Sequence, residues 1–435
     1  MRTRWSVGLA LGILLSAGVV LAQESQKPLT LEESIKIALD RNLKLHSSME
    51  GVAGSEFRRK AAMTDFFAKW TGQYGYTYYN SPTVVGFFGG GVTGADRNVY
   101  NLGTTVSQPL FAGGSILSNY RLEKLGVDVS KTDVETVKRD IVLQVREGYF
   151  NILRAEKFLD VARQTVKQFT AQLEVTRAFF EVGIVPKNDV LQAEVRLANA
   201  KQGLVRAESD VVLAKASFNS LLRNEINTPF HIIDILSYAP FKLPFEESLK
   251  EAFEKRPEIK AAGLKIEQAK EGVKIAKSGF FPTINLSGNY SRFSEEPTLM
   301  GDLRSERWTI QGIATITLGD WGKTAHKVGE SKVKVTQAED AKVQLVEGIT
   351  LDVKNGHQVM LVAEKNIGVA EKAIEQAEEN LRMNEERYKH QVATATDVLD
   401  AVTLLAQARV NYYGALSDFN IAKARLERAM GRMYP

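Results

Sequence analysis

The chain is one unit written twice, and this duplication restricts its fold more than any other feature. Leu29-Thr30-Leu31-Glu32-Glu33-Ser34-Ile35 returns as Leu243-Pro244-Phe245-Glu246-Glu247-Ser248-Leu249, a shift of 214 residues that also carries Phe66-Phe67 onto Phe280-Phe281 and Tyr76 onto Tyr290. Further along, Asp189-Val190-Leu191 returns as Asp397-Val398-Leu399 and Ala193 as Ala401, a shift of 208. The register changes only between about residues 80 and 97, where the first copy holds six more residues and is rich in glycine: Gly86, Gly89, Gly90, Gly91 and Gly94. An insertion confined to one place marks a surface loop.

Within each copy the hydrophobic period switches between 3.6 and 2, giving helix, paired strands, helix, turn, helix. Trp70, Gly72, Tyr74, Tyr76 and Tyr78 alternate with Lys69, Thr71, Gln73, Gly75 and Thr77; Leu102, Thr104, Val106 and Leu110 alternate with Asn101, Gly103, Thr105 and Ser107. The second copy repeats this with Ile284, Leu286 and Tyr290 against Asn285, Ser287 and Asn289, then Trp308, Ile310, Ala314, Ile316 and Leu318 against Thr309, Gln311, Thr315 and Thr317. One aromatic face and one small polar face suit a barrel wall between lipid and water. A soluble sandwich gives the same alternation.

The helices separate these two readings. Val145, Ile152, Leu159, Val166, Leu173 and Phe180 recur every seven residues, with Gly148, Ala155, Ala162 and Phe169 three places later. Their counterparts are Val353, Met360, Ile367, Ile374, Leu381 and Tyr388, with Gly356, Ala363, Ala370 and Ala377. The next helix pairs Val190, Leu197, Leu204, Val211 and Phe218 with Ala193, Ala200, Ala207 and Ala214, and its counterpart pairs Val398, Leu405, Tyr412, Phe419 and Leu426 with Ala401, Ala408, Ala415, Ala422 and Ala429. Sustained heptads mean left-handed coiled-coil packing. Alanine or glycine at one seam position brings backbones close and leaves little to fill a central core, so these helices suit a wall. The long helix spans roughly 100 Å and the short ones before the hairpin and after the turn roughly 54 and 52 Å. A long helix can therefore descend to a turn near Gly183 or Gln391 while two short ones together make the return. The stretch from Ile226 to Pro244, with Pro229 and Pro240, would cross between copies at the midpoint.

Export is written at the start. Met1-Arg2-Thr3-Arg4-Trp5, an apolar run from Val7 to Leu21, and Val20-Leu21-Ala22 read as a secretory signal over residues 1–22, with Gln23 the first mature residue. No later run of 18 apolar residues follows, so membrane insertion must use β-strands. The chain has no cysteine, which removes disulfides, thiolate metal sites and a cysteine nucleophile. Its net charge of +4 is spread in alternating signs and implies no nucleic-acid face. The mature chain divides into a first repeat, 23–228 (helix, strands about 66–80 and 98–111, long helix 114–179, helix 188–222), and a second, 229–435 (linker 229–243, helix, strands about 280–292 and 307–318, long helix 322–388, helix 396–430). Four strands cannot close a barrel and an open edge cannot face lipid, so several chains must share one.

With these features the sequence resembles the outer membrane efflux protein family, the TolC-like channels, over essentially the whole mature chain. The resemblance rests on the doubled plan, on Phe280-Phe281-Pro282-Thr283-Ile284 entering a strand and on Gln108-Pro109-Leu110-Phe111-Ala112-Gly113-Gly114 leaving one. It rests also on the turns, Phe180-Glu181-Val182-Gly183 before Asp189-Val190-Leu191-Gln192-Ala193 and Arg387-Tyr388-Lys389-His390-Gln391 before Asp397-Val398-Leu399-Asp400-Ala401. It implies an α+β membrane protein: a homotrimer whose twelve-stranded β-barrel, four strands per chain, continues into a long periplasmic α-helical coiled-coil barrel closed at its tip. It further implies an outer-membrane location, docking of the tip to a periplasmic adapter of an inner-membrane pump, and export of drugs, metals, small molecules or proteins. Three positions depart from the family pattern: Gln391 replaces the turn glycine kept at Gly183, Ala68 stands where the second copy has Pro282, and Ala393 occupies the place of a basic lock residue found in some relatives.

The chemistry-bearing residues are few. Gly89 to Gly94 fits G-x-G-x-x-G, but a strand rather than a helix follows, which makes it a hairpin loop. His46, His231, His326, His357 and His390 have no ligand spacing, and no catalytic constellation, cofactor or metal site emerges. At the turns Asp189 and Asp397 read as helix-start residues. Asp400 stands where copy one has Gln192, and three copies of it would form an acidic ring. The expected periplasmic gate is therefore Asp400, Asp397, Tyr388, Arg387 and Asp189, with Tyr388 hydrogen-bonded and Arg387 paired to an acid such as Asp189. The expected docking tip is Val182, Gly183, Ile184, Gln391, Val392 and Ala393. A passive exit duct without enzymatic activity is the leading reading; a soluble periplasmic coiled-coil adapter or chaperone, with the strands as a small cap, is the alternative.

Overall fold

A computed structural model describes residues 28–80, 83–87, 90–95, 98–241, 243–294, 296–297 and 305–433. The expected signal segment and its cleavage site lie outside them, as does Gly89. The first copy runs α1 (Leu31–Arg41), α2 (Leu43–Thr64), β1 (Lys69–Tyr78), a short ribbon of β2 (Thr83–Phe87) and β3 (Gly90–Ala95), β4 (Asn98–Ala112), α3 (Ser115–Glu181) and α4 (Lys187–Leu222). The second runs α5 (Phe245–Lys255), α6 (Pro257–Lys277), β5 (Thr283–Ser294), β6 (Ser305–Thr315), α7 (Lys323–Lys389) and α8 (Ala395–Ala429).

One correction concerns the helix before each hairpin, which is two helices. Asn42 ends α1 with ψ 121° and its Oδ1 then accepts from the N–H groups of Lys44 (2.9 Å) and Leu45 (3.2 Å), so one side chain closes one helix and starts the next. At the same place in copy two, Arg256 is driven out of helical geometry by the ring of Pro257, which is well placed to begin α6.

The four long strands form one antiparallel sheet in the order β1-β4-β5-β6, so β4 and β5 join the two copies and β1 and β6 are both edges. Pairing is continuous: Trp70↔Val106↔Gly288↔Ile310 make one row and Tyr74↔Leu102↔Arg292↔Glu306 another. Because side chains alternate, these rows share a face with Tyr76, Tyr290, Leu286 and Trp308, while Thr71, Thr105, Asn289 and Thr309 share the other. A bulge between Pro109 and Phe111 shifts the register, so Phe111 rather than Leu110 continues the apolar row opposite Ile284.

Helices α3 and α7 have 67 residues each, roughly 100 Å. Near the sheet α3 lies on α2 and α6, where Ser55 meets Ser130 at 2.7 Å and Gln268 donates to the Leu122 carbonyl. In its far half α3 lies on α4 and α8. The small seam residues do what close approach requires: a Cβ on Gly148 would stand 2.9 Å from the Phe218 ring, and Ala401, Ala408, Ala422 and Ala429 are buried. The crossing segment is pinned at mid-height, where Leu29 bridges Ile232 in parallel and the hydroxyl of fully buried Tyr149 lies 2.7 Å from the Ile233 carbonyl. Among the described residues no helix is long and apolar enough to cross a membrane.

Candidate functional site at the helical tip

The two turns far from the sheet share one backbone. At the end of α3, Gly183 N–H donates to the Phe180 carbonyl (2.9 Å) and Ile184 N–H to Phe179 (2.8 Å); at the end of α7, Gln391 donates to Tyr388 (3.0 Å) and Val392 to Arg387 (2.8 Å). Both are Schellman closures, which need a left-handed residue. Gly183 supplies it at φ +76°, and Gln391 adopts it at φ +61° despite its Cβ. The replacement of the turn glycine thus changes the side chain and leaves the shape intact. Val182 (70% exposed), Val392 (63%) and Ile184 (43%) form an apolar apex around these turns, with Gln391 exposed and Ala393 half-buried.

The helices that leave the turns start differently. Thr394 and Asp397 form a reciprocal capping box on α8: Asp397 N–H donates to Thr394 Oγ1 (3.2 Å), and the Asp397 carboxylate accepts from the Thr394 N–H (2.8 Å) and hydroxyl (2.8 Å). Those bonds, the backbone N–H first, hold the Asp397 carboxyl below the usual carboxylate range. In copy one the cap position is Pro186, which has no hydroxyl, so Asp189 occupies the third helical position without a side-chain cap bond.

Tyr388 is buried. Its hydroxyl meets Thr176 Oγ1 at 3.3 Å and its ring packs on Phe179 at 5.3 Å; burial pushes the phenol up, and the charge of Asp189 pushes it the same way. Arg387 donates within the protomer to the Val392 carbonyl of its own turn (3.3 Å). Asp400 stands apart from this group: Arg196 Nη2 lies 2.7 Å from its Oδ1, and one turn closer to the tip the Thr396 hydroxyl lies 2.8 Å from Gln192 Oε1. Both pairs tie α4 to α8 with the same sequence offset, so the helices rise side by side and parallel.

Arg196 escaped sequence reasoning. It sits one turn after Gln192, the position matching Asp400, where the second copy has Leu404. A basic residue on that turn of α4, facing the acid of α8, was the available signal. Among the described residues no cluster of side chains able to hold a metal ion is present.

The comparisons with known proteins agree with this architecture. Outer membrane efflux protein BepC of Brucella suis is 22% identical over 428 residues, covering 98% of this chain and 90% of its own. Outer membrane protein TolC of Vibrio cholerae is 22% identical over 343 residues, 78% of each chain. The crystal structure of CusC superposes with a TM-score of 0.82 at 18% identity over 93% of this chain and 92% of its own. The family model described as outer membrane efflux protein matches residues 35–222 and 248–432, one stretch in each repeat. The chain belongs to the outer membrane efflux protein family.

Proposed function

We propose that three copies of this chain form an outer-membrane exit duct, a twelve-stranded barrel continuous with a periplasmic helical tunnel, which passively conducts solutes delivered by a periplasmic adapter and an inner-membrane pump. The observation that carries this reading is the sheet. Four strands with one apolar and one polar face end in two unpaired edges, β1 and β6, and an edge cannot stand in lipid. Closure between neighbouring copies removes both edges at once. The names of the relatives, outer membrane and efflux proteins, support the same location and role. A soluble adapter or chaperone would leave the aromatic face of the sheet in water. Fractionation tests the choice: the mature protein should sediment with outer membranes, run as a trimer in mild detergent and give discrete conductance steps in planar bilayers, whereas recovery as a soluble monomer would overturn it.

The tip is the proposed periplasmic gate and docking end. Asp400, Asp397, Tyr388, Arg387 and Asp189 surround it, and Val182, Gly183, Ile184, Gln391, Val392 and Ala393 form the face offered to the adapter. Within each protomer the Arg196–Asp400 and Gln192–Thr396 contacts hold α4 against α8, so opening requires them to part. Since Asp400 is matched by a cation of its own chain, the gate charge is an ion pair rather than a bare acid ring.

A further inference from the structure

The four long strands carry only four charged side chains among the described residues: Lys69, Arg292, Glu306 and Arg307. The register sorts them by face. Arg292 and Glu306 are cross-strand partners on the aromatic face, 3.8 Å apart, and offset one another. Lys69 and Arg307 both lie on the small polar face. Lys69 shares a row with Ser107, Ser287 and Gln311, and Arg307 shares one with Ser291, Gly103 and Gln73. Between these rows runs Thr71↔Thr105↔Asn289↔Thr309, so the two cations are four residues apart along the strand, about 13 Å. Both are exposed and neither makes an ion pair with a described residue. At the tunnel end Asp65 and Asp320 lie outside the strands, and the Asp320 carboxylate accepts from the N–H groups of Gly322 and Thr324. At the other end Glu296 also lies beyond β5.

We propose that the lumen wall of the barrel is electropositive, with Lys69 and Arg307 of each chain forming two stacked rings of cations, and that the barrel therefore favours anionic solutes, those bearing carboxylate, sulfonate or phosphate groups. This rests on the trimeric duct reading, which turns the polar face inward and multiplies each cation by three. A like-charged wall around a narrow aqueous space concentrates counter-ions and repels co-ions. The uncharged amides and hydroxyls of the same face hydrogen-bond to passing solutes of either sign, so Lys69 and Arg307 supply the discrimination. The two rings are separated by little more than the roughly 10 Å Debye length at 0.1 M salt, so their fields overlap at moderate ionic strength and vanish near 1 M, where that length is about 3 Å.

The test uses the native absence of cysteine. Thr309→Cys places one thiol on the row between the rings, and Asn289→Cys on the same row serves if the edge strand is disturbed. Trimers in outer-membrane vesicles are treated with an anionic sulfonatoethyl and a cationic trimethylammonioethyl methanethiosulfonate, and the rate ratio is referred to that of free 2-mercaptoethanol. A wall potential of about one kT favours the anionic reagent about sevenfold at low salt. The preference should collapse in 1 M salt and in the Lys69→Gln, Arg307→Gln double variant. Reaction of both reagents at the free-thiol ratio, or a preference indifferent to the double substitution, overturns this inference and leaves the duct intact. Reaction with neither, while a lipid-soluble maleimide reacts, overturns the duct reading and this inference with it.

Discussion

Arg196 and Asp400 lie 2.7 Å apart, joining the first repeat to the second across neighbouring helices near the tip. Their side chains are 42% and 55% exposed, so the pair contributes little to stability, about 0.2–1 kcal/mol as a coupling energy. Its consequence is electrical. Arg196→Gln should unmask Asp400 and raise cation preference in single-channel recordings, Asp400→Asn should lower it, and the double variant should return near the starting value. Unchanged ion preference in both single variants would remove the pair from the conducting path.

Gln391 holds a left-handed conformation that its sister position fills with glycine. Gln391→Gly relieves about 1–2 kcal/mol of backbone strain and restores about 0.5–1 kcal/mol of unfolded-chain entropy, a net gain near 0.5–1 kcal/mol. Gly183→Ala should lose about 0.5–1 kcal/mol by the same reasoning. Denaturation midpoints of the two variants should move in opposite directions; movement in the same direction would mean that the turns are not equivalent.

The capping box of α8 should give the start of that helix a pH-dependent stability. The Asp397 carboxyl is lowered in the folded state, so its contribution is fully present above the ordinary carboxylate pKa and is lost as pH falls through the folded value. At neutral pH Thr394→Ala should cost about 1 kcal/mol. Below the carboxylate range the difference from the parent should shrink. Hydrogen exchange of the first turn of α8 reads this locally, and a pH-independent difference would assign the loss to the threonine hydroxyl alone.

Close packing makes a fourth claim. Ala408 is buried at the seam, whereas Lys201 is exposed on α4. Ala408→Leu should cost about 1–3 kcal/mol by overpacking, and Lys201→Leu should be nearly neutral. Similar costs for both would mean that the heptad register is wrong.

Much of this architecture was legible because a period of seven and a period of two are hard to mistake over such lengths. The strand faces followed from alternation, with two departures: the bulge at Leu110, since an inserted residue leaves no mark on the apolar pattern, and Ile316 and Leu318, which continue the alternation but lie beyond the end of β6 at Thr315. The break at Asn42 was hidden because the hydrophobic stripe resumes at once on the other side; in copy two, Pro257 was the visible sign. The tip was half readable. Asp397 reads as a helix-start residue because an acid suits a helix N-terminus, but its capping partner Thr394 was not singled out, and the partner of Asp400 lies 204 residues away, where no local pattern names it. Gln391 looked like a departure in shape because glycine is the usual left-handed residue, yet the closing hydrogen bonds impose that conformation on glutamine.

The central claim is that the sheet is part of a barrel wall with lipid on one side and water on the other. Adjacent residues Gln73 and Tyr74 lie on opposite faces of β1, so single cysteines at each, in trimers in the outer membrane, test it most directly. The account predicts that Tyr74→Cys reacts with a lipid-soluble maleimide and not with a membrane-impermeant one, while Gln73→Cys reacts with the water-soluble reagent. Equal labelling of both positions by both reagents would contradict it.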